Sequence, residues 1–370
     1  MSNQHRAVVV GAGNGGRLSM KALAMSDRYD LVGVADLRED ARSKAEADFP
    51  GLKTFAEHRR MFDELQPDVM CISTFAPSHA PIVYDALEYG PSGLLVEKPL
   101  ADTASRAREL LEAIKIRRLP VVVPHNLLVF DHSRSILETV HRGGIGELKL
   151  VEIQTRGWDI INAGVHWLNF FVALVGEDAV ESVMAACDTT SRTYRDGMQV
   201  ETEGVTYVQT TSGVRAVMNS GDYVKVNDAG QKLLFRLVGT EGLIEFWGFQ
   251  DAYRLVNASH PHGKRLEFDK AGRTGHLRHL ENLATQMDAG EPDYMVADSA
   301  LGAVEICEAA YLSHRHRCLV RFPLSTFEPP HPTGWDPGTP YDGQGGGRNG
   351  RDLPEVDPNE TRPELVESPA

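Results

Sequence analysis

The residues with the plainest chemical meaning stand near the start of the chain. Gly11-Ala12-Gly13-Asn14-Gly15-Gly16 follows the short apolar run Ala7–Val10 and precedes a helical pattern, and Asp36 closes the next apolar run twenty residues past Gly16. Strand, glycine loop, helix and acidic residue in that order are what a bound dinucleotide requires. Gly11 permits the tight turn. Gly13 lacks the Cβ that would hold a pyrophosphate away from the backbone, and Gly16 lets the helix lie close to the strand. Asn14 and Gly15 open a helix whose free N–H groups and partial positive charge face the phosphates. Asp36 is expected to accept hydrogen bonds from the adenosine ribose diol and to repel a 2′-phosphate, so NAD is preferred. Arg38 can pair with such a phosphate, and NADP stays open as the alternative.

Other reactive side chains form no such set. His276 and His279 share a helix face at i, i+3, and His314 and His316 alternate near a strand. No acidic or cysteine partner completes a ligand set, so surface or packing roles and no metal are expected. Tyr253, Arg156 and Trp158 are candidate contacts to a polar substrate. Cys71, Cys187, Cys307 and Cys318 are scattered without a C-x-x-C, which argues against a disulfide scaffold and for a reducing cytoplasm.

The elements that must position these residues come in two grammars. Up to residue 125, continuous apolar runs (Ala7–Val10, Leu31–Ala35, Val69–Ser73, Leu94–Glu97, Val121–Val123) alternate with helical patterns. In Asp102–Arg118, Ala107, Leu110, Leu111 and Ile114 fall at i, i+3, i+4, i+7. Such alternation predicts a parallel sheet covered on both faces. After a helix at about His132–Arg142, ended by Gly143-Gly144, strands follow one another: Glu147–Arg156, Val180–Cys187, Val200–Gln209, Arg215–Ser220, Lys232–Val238 and Leu243–Trp247. A helix interrupts them near Asn162–Val175, and two more follow near Leu277–Asp288 and Ala297–Ser313. This predicts an α+β domain with a mostly antiparallel sheet over residues 126–327.

The whole chain has 370 residues, enough for two domains, and a formal net charge of −14. That charge argues against a nucleic-acid binder. No apolar run approaches the ~20 residues of a membrane span, and no signal peptide opens the chain. Residues 328–370 hold 9 Pro and 7 Gly among 43 and carry −6 of the charge. They read as an acidic tail without its own core, disordered or laid as an arm across a neighbouring subunit, with Trp335 and Tyr341 as its only anchors.

At Phe75-Ala76-Pro77-Ser78-His79, Ala86-Leu87 and above all Glu97-Lys98-Pro99, the chain resembles the glucose–fructose oxidoreductase / inositol dehydrogenase / rhizopine-catabolism (Gfo/Idh/MocA) family. The resemblance covers about residues 5–323. It extends to Gly164-Val165-His166 on a later helix, to Gly239-Thr240-Glu241-Gly242, and to Gly290-Glu291-Pro292 before a helix ending Ala310-Tyr311-Leu312-Ser313. It implies a Rossmann domain followed by an α+β domain with a large open-faced sheet that often makes dimer or tetramer contacts. It also implies hydride transfer between NAD(P) and a secondary alcohol of a sugar, cyclitol or related polyol. Lys98 matches the motif lysine beside the nicotinamide, and Pro99 follows a peptide that is often cis in relatives. His79 and Glu97 are candidate cofactor-binding residues, with packing behind the site as the alternative for His79 and a structural strand-end carboxylate as that for Glu97. Asn162 and Asn169 stand where relatives carry aspartates, and Asn126 is followed by Leu127 and Leu128 where many have polar residues. Two alternatives accompany this reading, an NAD-dependent glycoside hydrolase of the same fold and a dinucleotide-binding regulator without catalysis.

Oxidising a secondary alcohol needs a base for the hydroxyl proton, and histidine suits that task. Lysine suits the negative charge that develops on oxygen. His166 is therefore assigned as general acid/base and Lys98 as the group that orients and polarises the reacting oxygen, with a shared proton role left open. Trp167, Phe170, Phe171 and Leu174 form a core stripe on the helix of His166. Asp159, Asn162, His166 and Asn169 form a polar stripe beside it, if the helix reaches back that far. Asp159, Asn162 and Asn126 are the expected substrate contacts, with an N-cap role as the alternative for Asp159.

Overall fold

Val8 and Val9 are fully buried because strand β1 (His5–Val10) runs through the middle of a parallel sheet. The computed structural model describes residues 4–188, 193–227, 230–269, 272, 274–329, 338 and 350–351. The first sheet continues through α1 (Asn14–Met25), β2 (Tyr29–Ala35), α2 (Glu39–Asp48), β3 (Lys53–Phe55), α3 (His58–Leu65), β4 (Val69–Ile72), α4 (Ala76–Glu88), β5 (Gly93–Val96), α5 (Ala104–Ile116) and β6 (Val121–Val122). Its order is β3-β2-β1-β4-β5-β6, all parallel. The five apolar runs are its strands. The sixth, edge strand β3, buries only Phe55 and so leaves no apolar run to read. The order reverses between β1 and β4, which opens a crevice at the strands' carboxyl ends, where the glycine loop lies.

The second sheet is built after α6 (Asp131–His141), from β7 (Leu148–Arg156) onward. Helix α7 (Val165–Val175) leads to β8 (Val180–Cys187), then to a small hairpin of β9 (Thr193–Arg195) and β10 (Met198–Val200). β11 (Glu203–Thr210), β12 (Arg215–Gly221), β13 (Leu233–Gly239), β14 (Gly242–Phe246), β15 (Ala252–Asn257) and β16 (His260–Glu267) follow. Helices α8 (Gly275–Ala289) and α9 (Met295–His316) come next, then β17 (Val320–Arg321). The nine strands run β16-β15-β14-β13-β7-β12-β11-β8-β17. The sheet is mostly antiparallel as expected, with β7 and β12 as a parallel pair. The single strand expected over Val200–Gln209 is two, because Glu201 turns into the interior between β10 and β11.

Helix α8 comes from the far end of the chain, yet its apolar face joins the first sheet. Leu277, Leu280, Leu283 and Ala284 pack in one core with Val9, Cys71, Leu95 and Val122. Tyr29 anchors it by donating its hydroxyl to Leu280 O at 2.6 Å. Gly93 on β5 leaves room for this face, since a Cβ would stand 2.7 Å from the sulfur of Met287. This docking carries His276 and His279 to the crevice.

Most of the tail, Trp335 and Tyr341 included, lies outside the described residues. Of its described residues, Gly338 donates its N–H to Gln199 O at 3.1 Å, and β18 (Gly350–Arg351) pairs antiparallel with β9. Among the described residues no helix is long and apolar enough to cross a membrane.

Candidate active site

Each glycine of the first loop meets a different demand. Gly11 sits at φ +96°, and a Cβ there would lie 2.4 Å from Ser73 O. A Cβ on Gly16 would lie 1.8 Å from Gly11 O, so helix and turn touch only because it is absent. Gly13 differs, since a Cβ there would meet nothing within 4 Å. It faces open space at the start of α1, whose N-cap offers no side-chain acceptor to the first-turn N–H groups. An unfilled cradle with unclaimed donors fits a pyrophosphate. Asn14 is exposed in that first turn.

Asp36 is fixed at the end of β2. Its Oδ2 accepts from Ala12 N at 2.7 Å and its Oδ1 from Arg38 N at 2.9 Å. The Arg38 guanidinium leans back on it, Nε to Oδ1 3.7 Å, but is 62% exposed. The carboxylate keeps lone pairs for a ribose diol.

Glu97-Lys98-Pro99 ends β5 beside this loop. A Cβ on Gly15 would lie 3.4 Å from the Glu97 side chain. Buried Glu97 accepts from His276 Nε2 at 2.6 Å and, through Oε2, from Lys98 N at 3.2 Å. Burial alone would raise its pKa, but His276 first and then Lys98 and His79 draw it down to about 2. His79 lies between two carbonyls, Nδ1 2.8 Å from Pro99 O and Nε2 3.0 Å from Thr74 O. Burial lowers its pKa against the pull of those carbonyls. It braces the turn, and the Lys98–Pro99 peptide is cis.

The Lys98 side chain crosses to the second sheet's helix, where Nζ donates to the backbone carbonyl of Asn162 at 2.6 Å. Asn162 lies in a π-turn, Ile160–Gly164, that precedes α7. Side chains claim the turn's leading N–H groups: Glu201 Oε1 accepts from Ile160 at 2.7 Å, the Tyr311 hydroxyl from Ile161 at 3.2 Å, and Asp159 Oδ1 from Asn162 at 2.7 Å. Asp159 is thus an N-cap. Its other oxygen accepts from Arg195 at 2.8 Å, and Asn162 Nδ2 donates to Arg195 O at 3.3 Å. Arg195 stacks on Trp158, 4.9 Å from the ring centre. The predicted polar stripe therefore does not form. A π-turn replaces its first half, Asp159 and Asn162 are engaged with Arg195, and Asn169 donates to Ser299 Oγ at 2.9 Å.

His166 opens α7 and is half-buried. Its Nδ1 is 3.1 Å from Nδ1 of buried His125, with the rings near perpendicular at 82°. His279 Nε2 donates to His125 O at 3.2 Å. Burial, then Lys98 and the three neighbouring histidines, hold the His166 pKa well below the ordinary value. Burial, then His279 and Lys98, bring His125 to about 3. Asn126 lies against the start of α8, where a Cβ on Gly275 would be 2.0 Å from its Oδ1, an atom buried without a partner among the described residues.

The structure thus brings Lys98, His166, Glu97 and the glycine loop to one crevice. His276 and His279, expected in surface or packing roles, are buried there, and His276 is the partner of Glu97. His125, Arg195 and Glu201 carried no sequence signal. For His276 and His279 the signal was their place on the apolar face that bears Leu277 and Leu280. Tyr253 is a core residue, buried with its hydroxyl 3.0 Å from Ser135 Oγ, and not a substrate contact. Among the described residues no cluster suits a metal ion.

A doubly wound parallel sheet with this loop, followed by a large open-faced sheet, is a Rossmann-type dinucleotide-binding architecture with a second domain. Residues 5–125 match the family model described as "Oxidoreductase family, NAD-binding Rossmann fold", GFO_IDH_MocA. The chain is similar to the rhizopine catabolism protein MocA of Rhizobium meliloti, 23% identical over 322 residues that cover 82% of this chain and 93% of that protein. It is 28% identical over 204 residues to an inositol 2-dehydrogenase of Rubrobacter xylanophilus, covering 51% of this chain and 58% of that protein. The fold matches that of a levoglucosan dehydrogenase in complex with NADH and levoglucosan, with a TM-score of 0.74 at 18% identity, over 87% of this chain and 100% of the other. Residues 5–125 are thus similar to the NAD-binding domain of the Gfo/Idh/MocA oxidoreductases, and the likeness to MocA extends over most of the chain.

Proposed function

We propose that the protein is an NAD-dependent dehydrogenase or reductase acting on a secondary alcohol or ketone of a sugar, cyclitol or related polyol, with Lys98 and His166 at the reacting oxygen. The 2.6 Å hydrogen bond from Lys98 Nζ to Asn162 O carries this reading. It ties the lysine at the dinucleotide crevice to the turn that enters the helix of His166. Gly11, Gly13 and the first turn of α1 hold the pyrophosphate, and Asp36 holds the adenosine ribose and favours NAD over NADP. When bound, NAD supplies the hydride acceptor, and NADH the donor. An ammonium has three donors, so Lys98 keeps two for the substrate oxygen beyond the one given to Asn162. His166 faces the same oxygen with its Nε2 edge. Two similar proteins, an inositol 2-dehydrogenase and a levoglucosan dehydrogenase, are named for polyhydroxylated rings, which supports the substrate class. The outward face of the nine-stranded sheet, where Met184 and Val205 are exposed, suits a contact between subunits of a homo-oligomer.

The test follows nicotinamide absorbance against sugars, cyclitols, sugar acids and their keto forms. Lys98→Ala and His166→Ala are each expected to lower kcat roughly 10²–10⁴-fold while leaving NADH binding nearly intact. Wild-type turnover in both variants overturns the assignment. Aglycone release from a chromogenic glycoside without net NADH replaces the reading with glycoside cleavage.

A further inference from the structure

Residue types leave open whether Lys98 or His166 exchanges the proton with the substrate. The buried histidines separate the two. His125 and His166 meet Nδ1 to Nδ1 at 3.1 Å, so one ring donates and the other accepts. His125 is buried, and its Nε2 has no partner among the described residues. A buried N–H without an acceptor is rare and costly, so the unpartnered nitrogen is the one without hydrogen. The neighbouring ring follows the same pattern. His279 Nε2 lies 3.2 Å from a carbonyl and must carry the hydrogen, and it is Nδ1 that stands unpartnered. His125 then carries its hydrogen on Nδ1.

We propose that His125 is a positioning residue: it donates Nδ1–H to Nδ1 of His166 and fixes the neutral His166 ring with its hydrogen on Nε2. His166 then meets the substrate oxygen as a neutral hydrogen-bond donor, and Nζ of Lys98 carries the proton. In oxidation the Lys98 ammonium first releases a proton to solvent; its amine lone pair then takes the substrate hydroxyl proton, the O–H bond breaking and an N–H bond forming, as the hydride leaves carbon for the nicotinamide. In reduction the N–H bond at Lys98 breaks and the O–H bond forms. A neutral His166 cannot give up Nε2–H without becoming an imidazolate, and it has no lone pair at Nε2 to act as base. Lys98, His125, His276 and His279 all face His166 and disfavour a second proton on its ring, while the Glu97 carboxylate is held by His276. Neutral imidazole as electrophile beside a separate proton carrier is an established division of labour. This inference rests on the Lys98–His166 reading above.

The test is NMR of the full-length protein labelled with 15N-histidine, in which long-range 15N–1H couplings report which ring nitrogen bears hydrogen. His166 signals are those lost in His166→Gln. The expected result is His166 neutral with hydrogen on Nε2 and His125 with hydrogen on Nδ1. In His125→Ala the His166 signals shift toward a mixture of tautomers, and kcat falls roughly tenfold or more with the NADH Kd unchanged. His125→Asn, whose side-chain amide can donate to the same Nδ1, restores the tautomer and most of kcat. Hydrogen on Nδ1 of His166 in the wild-type protein overturns the proposal, and so does an unaltered His166 tautomer in folded His125→Ala. The tautomer readout needs no substrate, so an absence of turnover would fail the dehydrogenase reading without deciding this one.

Discussion

Glu97 and His276 are separated by 179 residues in sequence and by 2.6 Å in space, Oε1 to Nε2. One ends the fifth strand of the parallel sheet; the other opens a helix reached only after the chain has built the second sheet. The pair closes the crevice at the point where Lys98 leaves the backbone. Its tuning is electrostatic. Burial works against the carboxylate, yet His276, Lys98 and His79 hold Glu97 ionised down to about 2.

That depression sets a pH window. A carboxyl group whose pKa falls from 4.5 unfolded to about 2 folded contributes stability that is complete above 4.5 and lost as pH falls through about 2. Glu97→Gln is therefore expected to be less stable than wild type at neutral pH, with the gap closing as pH is lowered across that window. His276→Ala leaves the buried carboxylate with only the Lys98 N–H as partner and should cost roughly 3 kcal/mol. Urea unfolding at a series of pH values checks both. A gap between Glu97→Gln and wild type that stays constant with pH contradicts the pairing.

Two glycines of the loop, Gly13 and Gly16, separate binding from folding. Gly13→Ala adds a methyl to open space and removes only a modest N-cap preference, about 1 kcal/mol. In the proposed reading the methyl stands where the pyrophosphate approaches, so NADH affinity should fall at least about tenfold, or ~1.4 kcal/mol. Gly16→Ala drives a methyl into the carbonyl of Gly11 and should lower stability itself by roughly 1–3 kcal/mol or more. Thermal unfolding without ligand, set beside NADH fluorescence titration, tells the two apart. Equal losses of stability would contradict the roles given to them.

Glu201 makes the opposite prediction on the alkaline side. Burial, and then the charge of Asp159, raise its pKa from 4.5 to about 8. A carboxyl group raised on folding contributes stability that is complete below 4.5 and lost as pH climbs through about 8. Its oxygens accept from Ile160 N and the Tyr311 hydroxyl, bonds that favour the ionised form but do not offset burial and the charge of Asp159. Glu201→Gln keeps the shape of the protonated acid. Its melting temperature relative to wild type should rise between about pH 5 and 8 and level off above, and a flat difference across that window would remove the claim.

Much of the fold was legible because its signals are local. The glycine loop, Asp36 and the buried strands each announce themselves within a few residues. Edge strand β3 buries one side chain, and β16 (His260–Glu267) is largely polar, so neither shows an apolar rhythm. The site was legible where a motif spelled it, at Glu97-Lys98-Pro99 and Gly164-Val165-His166. It was illegible where tertiary docking made it. Nothing near His125 says that it meets His166, and the histidines of α8 reach the crevice only because Leu277, Leu280 and Leu283 prefer the first sheet. The π-turn at Ile160–Gly164 is a shift of one residue in the backbone hydrogen bonding, invisible to helical periodicity, and it redirects Asp159 and Asn162 from the predicted stripe.

In the proposed reading, cofactor choice turns on Asp36 and Arg38 together. The Asp36 carboxylate is pinned by Ala12 N and Arg38 N, so its charge is fixed where a 2′-phosphate would sit. Asp36→Asn removes the charge and keeps one acceptor, and the preference of kcat/KM for NAD over NADP should fall roughly 10–100-fold. The exposed Arg38 contributes little to NAD binding through its 3.7 Å approach to Asp36, so Arg38→Ala alone should leave NAD kinetics nearly unchanged. Freed from the carboxylate in Asp36→Asn, the same guanidinium can turn to a 2′-phosphate. The double variant should then lose the NADP gain that Asp36→Asn acquires. Unchanged cofactor preference in Asp36→Asn would show that discrimination lies elsewhere in the crevice. A retained NADP gain in the double variant would assign it to removal of repulsion alone.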